Sequence, residues 1–184
     1  MDTPQTAHTD PLLKEKAEKI RLLALDVDGV LTDGRLYFDQ AGNEMKTFFT
    51  RDGLGIKAVQ KFDVRVALIT GRSSAIVARR AEELGISLVY QGCEDKLEAF
   101  TDMLGKTGCS EEQVCYAGDD WVDLPLLNRV GLAVTVADAH PLVKTRVHWV
   151  TQHGGGKGAV REICDLILSA RGLDVQLLDT LSAS

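Results

Sequence analysis

The sequence predicts a doubly wound α/β fold: a mostly parallel sheet with helices on both faces, a β-hairpin inserted after the first strand, and no cap domain. Three observations carry this expectation. Apolar runs of strand length alternate with helical periodicity through most of the 184 residues. Several of the runs are almost continuously apolar, as strands covered on both faces are. One segment, "GRLYFDQAGNEMKTFFTRDG", breaks the alternation with two β-rich arms about a polar turn, the pattern of a hairpin.

In chain order, residues 1–19 form a leader, loose or partly helical at its start. The strand segments are "RLLALDV", "VRVALIT", "ISLVYQG", "VCYAG", "GLAVTV" and "HWVTQ". The hairpin insertion occupies 35–50, where a crossover helix would otherwise begin. The helical segments are "GLGIKAVQKF", "SSAIVARRAEELG", "DKLEAFTDMLGKTG", "DDWVDLPLLNRVG" and "GAVREICDLILSARG". Ser110 and Gln113 read as a capping box, and Gly85, Gly131 and Gly172 as helix stops. Residues 173–184 are a leucine-rich tail. The whole chain, 1–184, reads as a single domain of ordinary length.

Composition excludes several classes. A net charge of −6 argues against a nucleic-acid binder, which would carry a basic face, yet it allows a local cationic pocket for a small anion. No run reaches membrane-spanning length, and the first twenty residues hold no apolar core of signal-peptide length. Cys93, Cys109, Cys115 and Cys164 form no CxxC pair. They read as reduced thiols of a cytoplasmic chain, and the scattered histidines make no zinc set.

The chemistry lies where the strands end. In doubly wound sheets, ligands bind beyond the carboxyl ends of the strands. Four signals fall there in order: Asp26 and Asp28 in "DVDG", Thr70 and Arg72 in "TGRS", Lys96 in "EDK", and Asp119, Asp120 and Asp123 in "GDDWVD". A buried carboxylate at the end of an apolar run is costly unless it is paired or employed. Phosphoryl transfer from a monoester employs such a set. Asp26 is the expected nucleophile, and Asp28 the acid and base that serves the leaving group and then water. Thr70 donates a hydroxyl to a phosphoryl oxygen, and Lys96 neutralises another. Crowded carboxylates imply a hard dication, and Mg²⁺ prefers oxygen ligands and bridges to phosphate. Asp26, Asp28 and Asp119 make up the candidate metal set, with Asp120 and Asp123 behind it.

These four motifs, in this order, resemble those of the haloacid dehalogenase superfamily of phosphotransferases. "DVDGVLTDG", "RDGLGIK", "ITGRSS", "QGCEDK", "GDDWVDLP", "VADAHP" and "GGGKGAVREICDLIL" are similar to its sugar-acid phosphate branch over roughly residues 20–172. The resemblance implies a Rossmann-like core, Mg²⁺ and a homotetramer. It also implies hydrolysis of 3-deoxy-D-manno-octulosonate 8-phosphate in lipopolysaccharide precursor synthesis, with acylneuraminate 9-phosphate as the alternative substrate. By family position, Phe49, Thr50, Arg51, Asp52, Gly53, Lys57, Arg72 and Arg80, together with Asp28 and Lys96, are the substrate-contacting residues. Lys57 stands where relatives often carry arginine, which keeps the charge and loses the bidentate geometry. Arg79 and Arg80 exchange places under a one-residue change of helical phase.

Spacing leaves no room for a cap. Forty-one residues separate Asp28 from Thr70 and 25 separate Thr70 from Lys96, and the hairpin, two helices and a strand consume them. A reactive acyl-phosphate calls for controlled water access, so a neighbouring subunit is the expected lid. The hairpin is the expected connector, through Leu36, Tyr37, Phe38, Met45, Phe48 and Phe49. A non-enzymatic phospho-receiver domain uses a similar acidic set, but there the acidic pair precedes the phosphoacceptor strand, whereas here DxD leads. "HGGGKGAV" is no P-loop, which requires GxxxxGK[ST]; its glycines read as close-packing positions ahead of the last helix.

Overall fold

The computed structural model describes residues 10–182. The first nine residues of the expected leader and the last two of the tail lie outside them. The leader is more ordered than expected over the rest of its length. Asp10 caps α1 (Pro11–Glu18) by accepting from Leu12 N. Leu13 and Ala17 are buried, and Lys16 Nζ donates to Gly131 O at 3.0 Å.

The six expected core strands form one sheet. They are β1 (Leu22–Leu25), β4 (Arg65–Ile69), β5 (Leu88–Tyr90), β6 (Val114–Ala117), β7 (Leu132–Thr135) and β8 (Trp149–Val150), in the order β5-β4-β1-β6-β7-β8. Every pairing is parallel. Both faces are covered. Alternate residues of β1 enter two cores, Leu23 and Leu25 on one face, Leu22 and Ala24 on the other. The first core takes in α1, α2 (Thr50–Lys61), α3 (Ala75–Leu84) and α7 (Ala159–Ala170). The second takes in α4 (Lys96–Thr107), α5 (Leu124–Leu127) and α6 (Pro141–Lys144). The chain runs outward from β1 through β4 to β5, then crosses to β6 and runs outward the other way. The strand order therefore reverses beside β1, which is where such sheets open a crevice.

The hairpin insertion is short: β2 (Tyr37–Phe38) against antiparallel β3 (Glu44–Met45). Asp39 builds its turn, accepting from Ala41 N and Asn43 N at 2.9 and 2.8 Å. Leu36, Phe38 and Met45 are exposed, whereas Phe48 packs against the first core.

Three local expectations need correction. The "DDWVDLPLLNRVG" helix is a 3₁₀ turn, Trp121–Asp123, followed by the single turn of α5; Asp123 is drawn into the interior, and the tighter turn delivers it there. The Ser110–Gln113 capping box is present but caps a 3₁₀ turn, Glu111–Gln113. Gly85 and Gly172 do end α3 and α7 with φ of 72° and 68°, but Gly131 does not act as a stop. A side chain there would strike the Glu112 carbonyl, its Cβ lying 2.1 Å from the oxygen. The tail forms α8 (Asp174–Ser182), with Leu177 against the first core. No helix of the described residues is long and apolar enough to cross a membrane.

Candidate active site

β1 ends at Leu25, and Asp26 follows as its backbone N–H continues the ladder to Ala117 O at 2.9 Å. The sheet thus pushes a carboxylate to the mouth of the crevice while keeping it 6% exposed. Lys96, the first residue of α4, meets it from the neighbouring face. Lys96 Nζ donates to Asp26 Oδ1 at 2.8 Å, to Asp123 Oδ1 at 2.7 Å and to the Tyr116 hydroxyl at 3.3 Å. Burial alone would discharge this ammonium, but Asp26 and Asp123 outweigh it and hold its pKa above the usual value.

Asp123 is fully engaged. Besides Lys96, its Oδ1 accepts from the Tyr116 hydroxyl at 2.5 Å. Its Oδ2 accepts from Asp119 N at 2.9 Å and Asp120 N at 3.1 Å. It therefore fixes the loop that carries Asp119. Asp26, Asp119 and Asp123 bring carboxylate oxygens within 4.8 Å of one another. Burial, opposed by Lys96, pushes Asp26 up to about 6. Burial and the charges of Asp26, Asp123 and Asp120 push Asp119 up to about 7. Such crowding fits a hard dication. With Asp123 spent on four donors, Asp26 and Asp119 are the carboxylates left to hold it.

The structure places the other expected metal residues differently. Asp28 does not join the trio; its Oδ1 accepts from Lys46 Nζ, and its Oδ2 lies 3.8 Å from Arg72 Nε. Asp120 is exposed, and its carboxylate caps the 3₁₀ turn by accepting from Trp121 N at 2.7 Å. It supports Asp123 through its backbone N–H instead. Thr70 is 2% exposed at the end of β4, and its Oγ1 accepts from Arg72 N at 3.4 Å, which leaves the hydroxyl proton to donate.

The cleft has a volume of about 360 Å³ and is lined by Asp26, Asp28, Thr70, Arg72, Lys96 and Asp119 among others, but by none of Phe49, Thr50, Arg51, Asp52, Gly53, Lys57 or Arg80. Asp52 is correspondingly structural within the chain: it is buried, and its Oδ1 accepts from Arg161 N at 2.8 Å in the first turn of α7. Gly53 lets Arg80 pass, since a Cβ would sit 2.5 Å from its guanidinium. Arg80 lies over the Phe48 ring at 5.6 Å and pairs with Glu83 at 3.2 Å, while Arg79 is 82% exposed, so Arg80 is the inward member of the two. Lys57 lines a separate depression with Leu54 and Leu177.

Sequence reasoning missed Lys46, Glu44 and Tyr116. Tyr116 was hidden in an apolar strand. Lys46 and Glu44 carried a signal, because they are two apart and flank Met45. In a two-residue strand, the Met45 side chain is exposed while that of Lys46 is only 1% exposed, so the polar face is the one turned inward. The glycine-rich segment packs as expected: a Cβ on Gly155 would lie 1.8 Å from Gly29 O.

A parallel sheet of this order, with a lysine-balanced carboxylate cluster at its switch point, defines a phosphohydrolase of the haloacid dehalogenase type. Comparison with known proteins narrows the class. Residues 89–163 match the haloacid dehalogenase-like hydrolase family. The 3-deoxy-D-manno-octulosonate 8-phosphate phosphatase of Escherichia coli (strain K12) is 53% identical over 157 residues, covering 85% of this chain and 84% of that one. The crystal structure of the Yersinia pestis phosphatase of the same name superposes with a TM-score of 0.88 at 48% identity, over 89% of this chain and 88% of that one. The Moraxella catarrhalis phosphatase, solved in complex with a magnesium ion, a phosphate ion and the sugar acid, is 40% identical with a TM-score of 0.88, over 91% and 97%. The chain belongs to the 3-deoxy-D-manno-octulosonate 8-phosphate phosphatase family of the haloacid dehalogenase-like hydrolases.

Proposed function

We propose that the protein is a Mg²⁺-dependent phosphomonoesterase that hydrolyses 3-deoxy-D-manno-octulosonate 8-phosphate to the free sugar acid and phosphate. The observation that carries the reading is the buried Asp26–Lys96–Asp123 cluster beside Asp119, in a chain about half identical to phosphatases of that name over most of its length. Bound at Asp26 and Asp119, Mg²⁺ supplies Lewis-acid neutralisation of carboxylate and phosphoryl oxygens.

The chain's own groups do the rest. Asp26 attacks phosphorus through a carboxylate oxygen, and the bond from phosphorus to the sugar oxygen breaks with its electron pair going to that oxygen. Asp28, protonated, delivers its proton there. In the second half, Asp28 takes a proton from water as the water oxygen attacks phosphorus, and the bond to Asp26 breaks. Lys96 holds Asp26 in place and balances charge on the transferred group, and the Thr70 hydroxyl donates to a phosphoryl oxygen. Arg72, at the rim, meets the substrate's distal anionic end.

Phe49, Thr50, Arg51, Lys57 and Arg80 act, on this reading, at the cleft of a neighbouring subunit, while the buried Asp52 and Gly53 hold that segment from inside their own chain. Two facts support it: none of them lines the cleft of its own chain, and the hairpin exposes Leu36, Phe38 and Met45. The reading includes a homotetramer of single-domain chains in the cytoplasm, supported by the exposed apolar hairpin. The test is phosphate release across hexose, pentose, octulosonate and nonulosonate phosphates, with Mg²⁺ and with chelator. The octulosonate 8-phosphate should give the highest kcat/KM, and chelator should abolish turnover. Best turnover of acylneuraminate 9-phosphate or of a neutral hexose phosphate would remove the named substrate.

A further inference from the structure

Two hairpin side chains, Lys46 and Glu44, reach into the site and have no role in the steps described above. Lys46 Nζ binds Asp28 Oδ1 and lies 3.4 Å from Glu44 Oε1. Glu44 then spans to the loop after β4. Its Oε1 accepts from Arg72 Nη2 at 3.1 Å, and its Oε2 from Ser74 Oγ at 2.8 Å. Arg72 Nε closes the circle, 3.8 Å from Asp28 Oδ2. The ring holds two acids and two bases, so it is neutral by itself and requires no outside counter-ion. It is also asymmetric at Asp28. Oδ1 is anchored by a lysine whose side chain is 1% exposed, while Oδ2 is buried with no hydrogen-bond partner. An unpartnered buried carboxylate oxygen is costly, and in the wall of a cleft it marks a place kept for something that enters.

We propose that Lys46 and Glu44 are positioning residues of the reaction. Lys46 pins one oxygen of Asp28 so that the other, Oδ2, is the one presented to the ester oxygen, and Glu44 sets the Arg72 guanidinium beside it. The inference rests on the reading of Asp28 as acid and base. Proton transfer needs the donor within about 3 Å of its target, and a misplacement of about 1 Å costs on the order of a hundredfold. Asp28 stands three residues beyond the end of β1, and its close side-chain contact is the buried ammonium of Lys46 from the hairpin, which fixes its rotation. A ring that merely tethered the hairpin would have no reason to leave Oδ2 free.

The test separates positioning from tethering by leaving group. A sugar alkoxide needs a proton to depart, whereas the nitrophenolate of p-nitrophenyl phosphate does not. For Lys46→Met, assayed as the full chain with Mg²⁺, kcat/KM should fall about a hundredfold on the octulosonate 8-phosphate and no more than about fivefold on p-nitrophenyl phosphate. Lys46→Arg, which keeps the charge, should recover most of the loss, and Lys46→Gln serves if the methionine variant does not fold. Glu44→Gln should act mainly on KM for the sugar acid phosphate, through Arg72. Equal losses on both substrates, or a loss under about threefold on the octulosonate, overturn the positioning role while leaving the phosphatase reading intact. A wild-type protein that releases phosphate from neither substrate overturns both.

Discussion

Replacing Asp123 by asparagine should do more harm than replacing any other residue that touches neither metal nor substrate. Asp123 is fully buried and accepts four hydrogen bonds, two at each oxygen, from Lys96, Tyr116, Asp119 N and Asp120 N. Asparagine has one acceptor oxygen. With that oxygen toward Lys96 and Tyr116, its amide group faces two backbone N–H donors; turned over, it faces the ammonium. Either way donors confront donors, and Lys96 loses one of its two carboxylates. Removing one partner of a buried ion pair costs about 3–5 kcal/mol. At about 2–4 °C per kcal/mol for a chain of this size, Tm should fall by roughly 6–20 °C. Asp119 is held by its own N–H on Asp123, so Mg²⁺ affinity should fall by about 10–100-fold, as for other supports behind a metal ligand. Tyr116→Phe removes one hydrogen bond to the same carboxylate and should cost about 1.5–3 kcal/mol. The measurements are denaturant melts and a Mg²⁺ titration of turnover. A folded Asp123→Asn protein within about 1 kcal/mol of wild type, with the same Mg²⁺ dependence, would refute the reasoning.

Other outcomes follow from the same geometry. Asp26→Asn should leave the fold intact and reduce kcat by at least about a hundredfold, and near-normal turnover would end the aspartyl-phosphate mechanism. Gly29 has φ of 103°, and a Cβ there would lie 2.2 Å from Asp119 Oδ2; Gly29→Ala should cost about 1–3 kcal/mol in backbone strain and raise the Mg²⁺ needed for half-maximal rate. In the metal-free protein, Asp26 and Asp119 have pKa values raised to about 6 and about 7, so their contribution to stability is full below about pH 4 and lost as pH rises through 6 to 7. Mg²⁺ needs both ionised, so the Tm gain it gives should be larger at pH 8 than at pH 5; an equal gain at both would count against these carboxylates as its ligands. Phe38→Ser with Met45→Ser should shift light scattering from tetramer toward smaller species and lower activity together, and a fully active monomer would refute the shared site.

What could be read from the sequence was set by how strongly burial constrains residue type. The core strands are apolar runs on both faces, so their ends, and the charged residues at those ends, were visible as interruptions: Asp26, Thr70 and Asp119 stand within two residues of a strand end, and Lys96 opens a helix. Which carboxylate of "GDDWVD" turns inward was not visible, because the choice depends on a 3₁₀ turn that propensity does not distinguish from a helix. The inward face of the hairpin was hidden for a different reason. A strand alternates whichever way it faces, and only the position of Asp28 decides that Lys46 rather than Met45 is buried. Residues 49–53, Lys57 and Arg80 came from family position, not from local pattern, and one chain alone does not bring them to its cleft.

The charges around the cleft sort into two groups that explain why both a dication and a hairpin are needed. The inner group has three carboxylates, Asp26, Asp119 and Asp123, against the single ammonium of Lys96. Its excess of two negative charges is what one divalent cation cancels, and without a cation the raised pKa values of Asp26 and Asp119 relieve it by protonation instead. The outer group, Asp28 and Glu44 against Lys46 and Arg72, is already neutral. A phosphate dianion entering the metal-free cleft would therefore meet net negative charge, while with Mg²⁺ in place it meets a neutral wall that includes the Lys96 ammonium and the Arg72 guanidinium. Without Lys46 the outer group would set Asp28 and Glu44 against Arg72 alone, leaving one negative charge that a dication cancelling the inner excess would not balance. The hairpin lysine thus keeps the carboxylate that handles protons electrostatically separate from those that handle the metal, although only one residue lies between Asp26 and Asp28 in the chain.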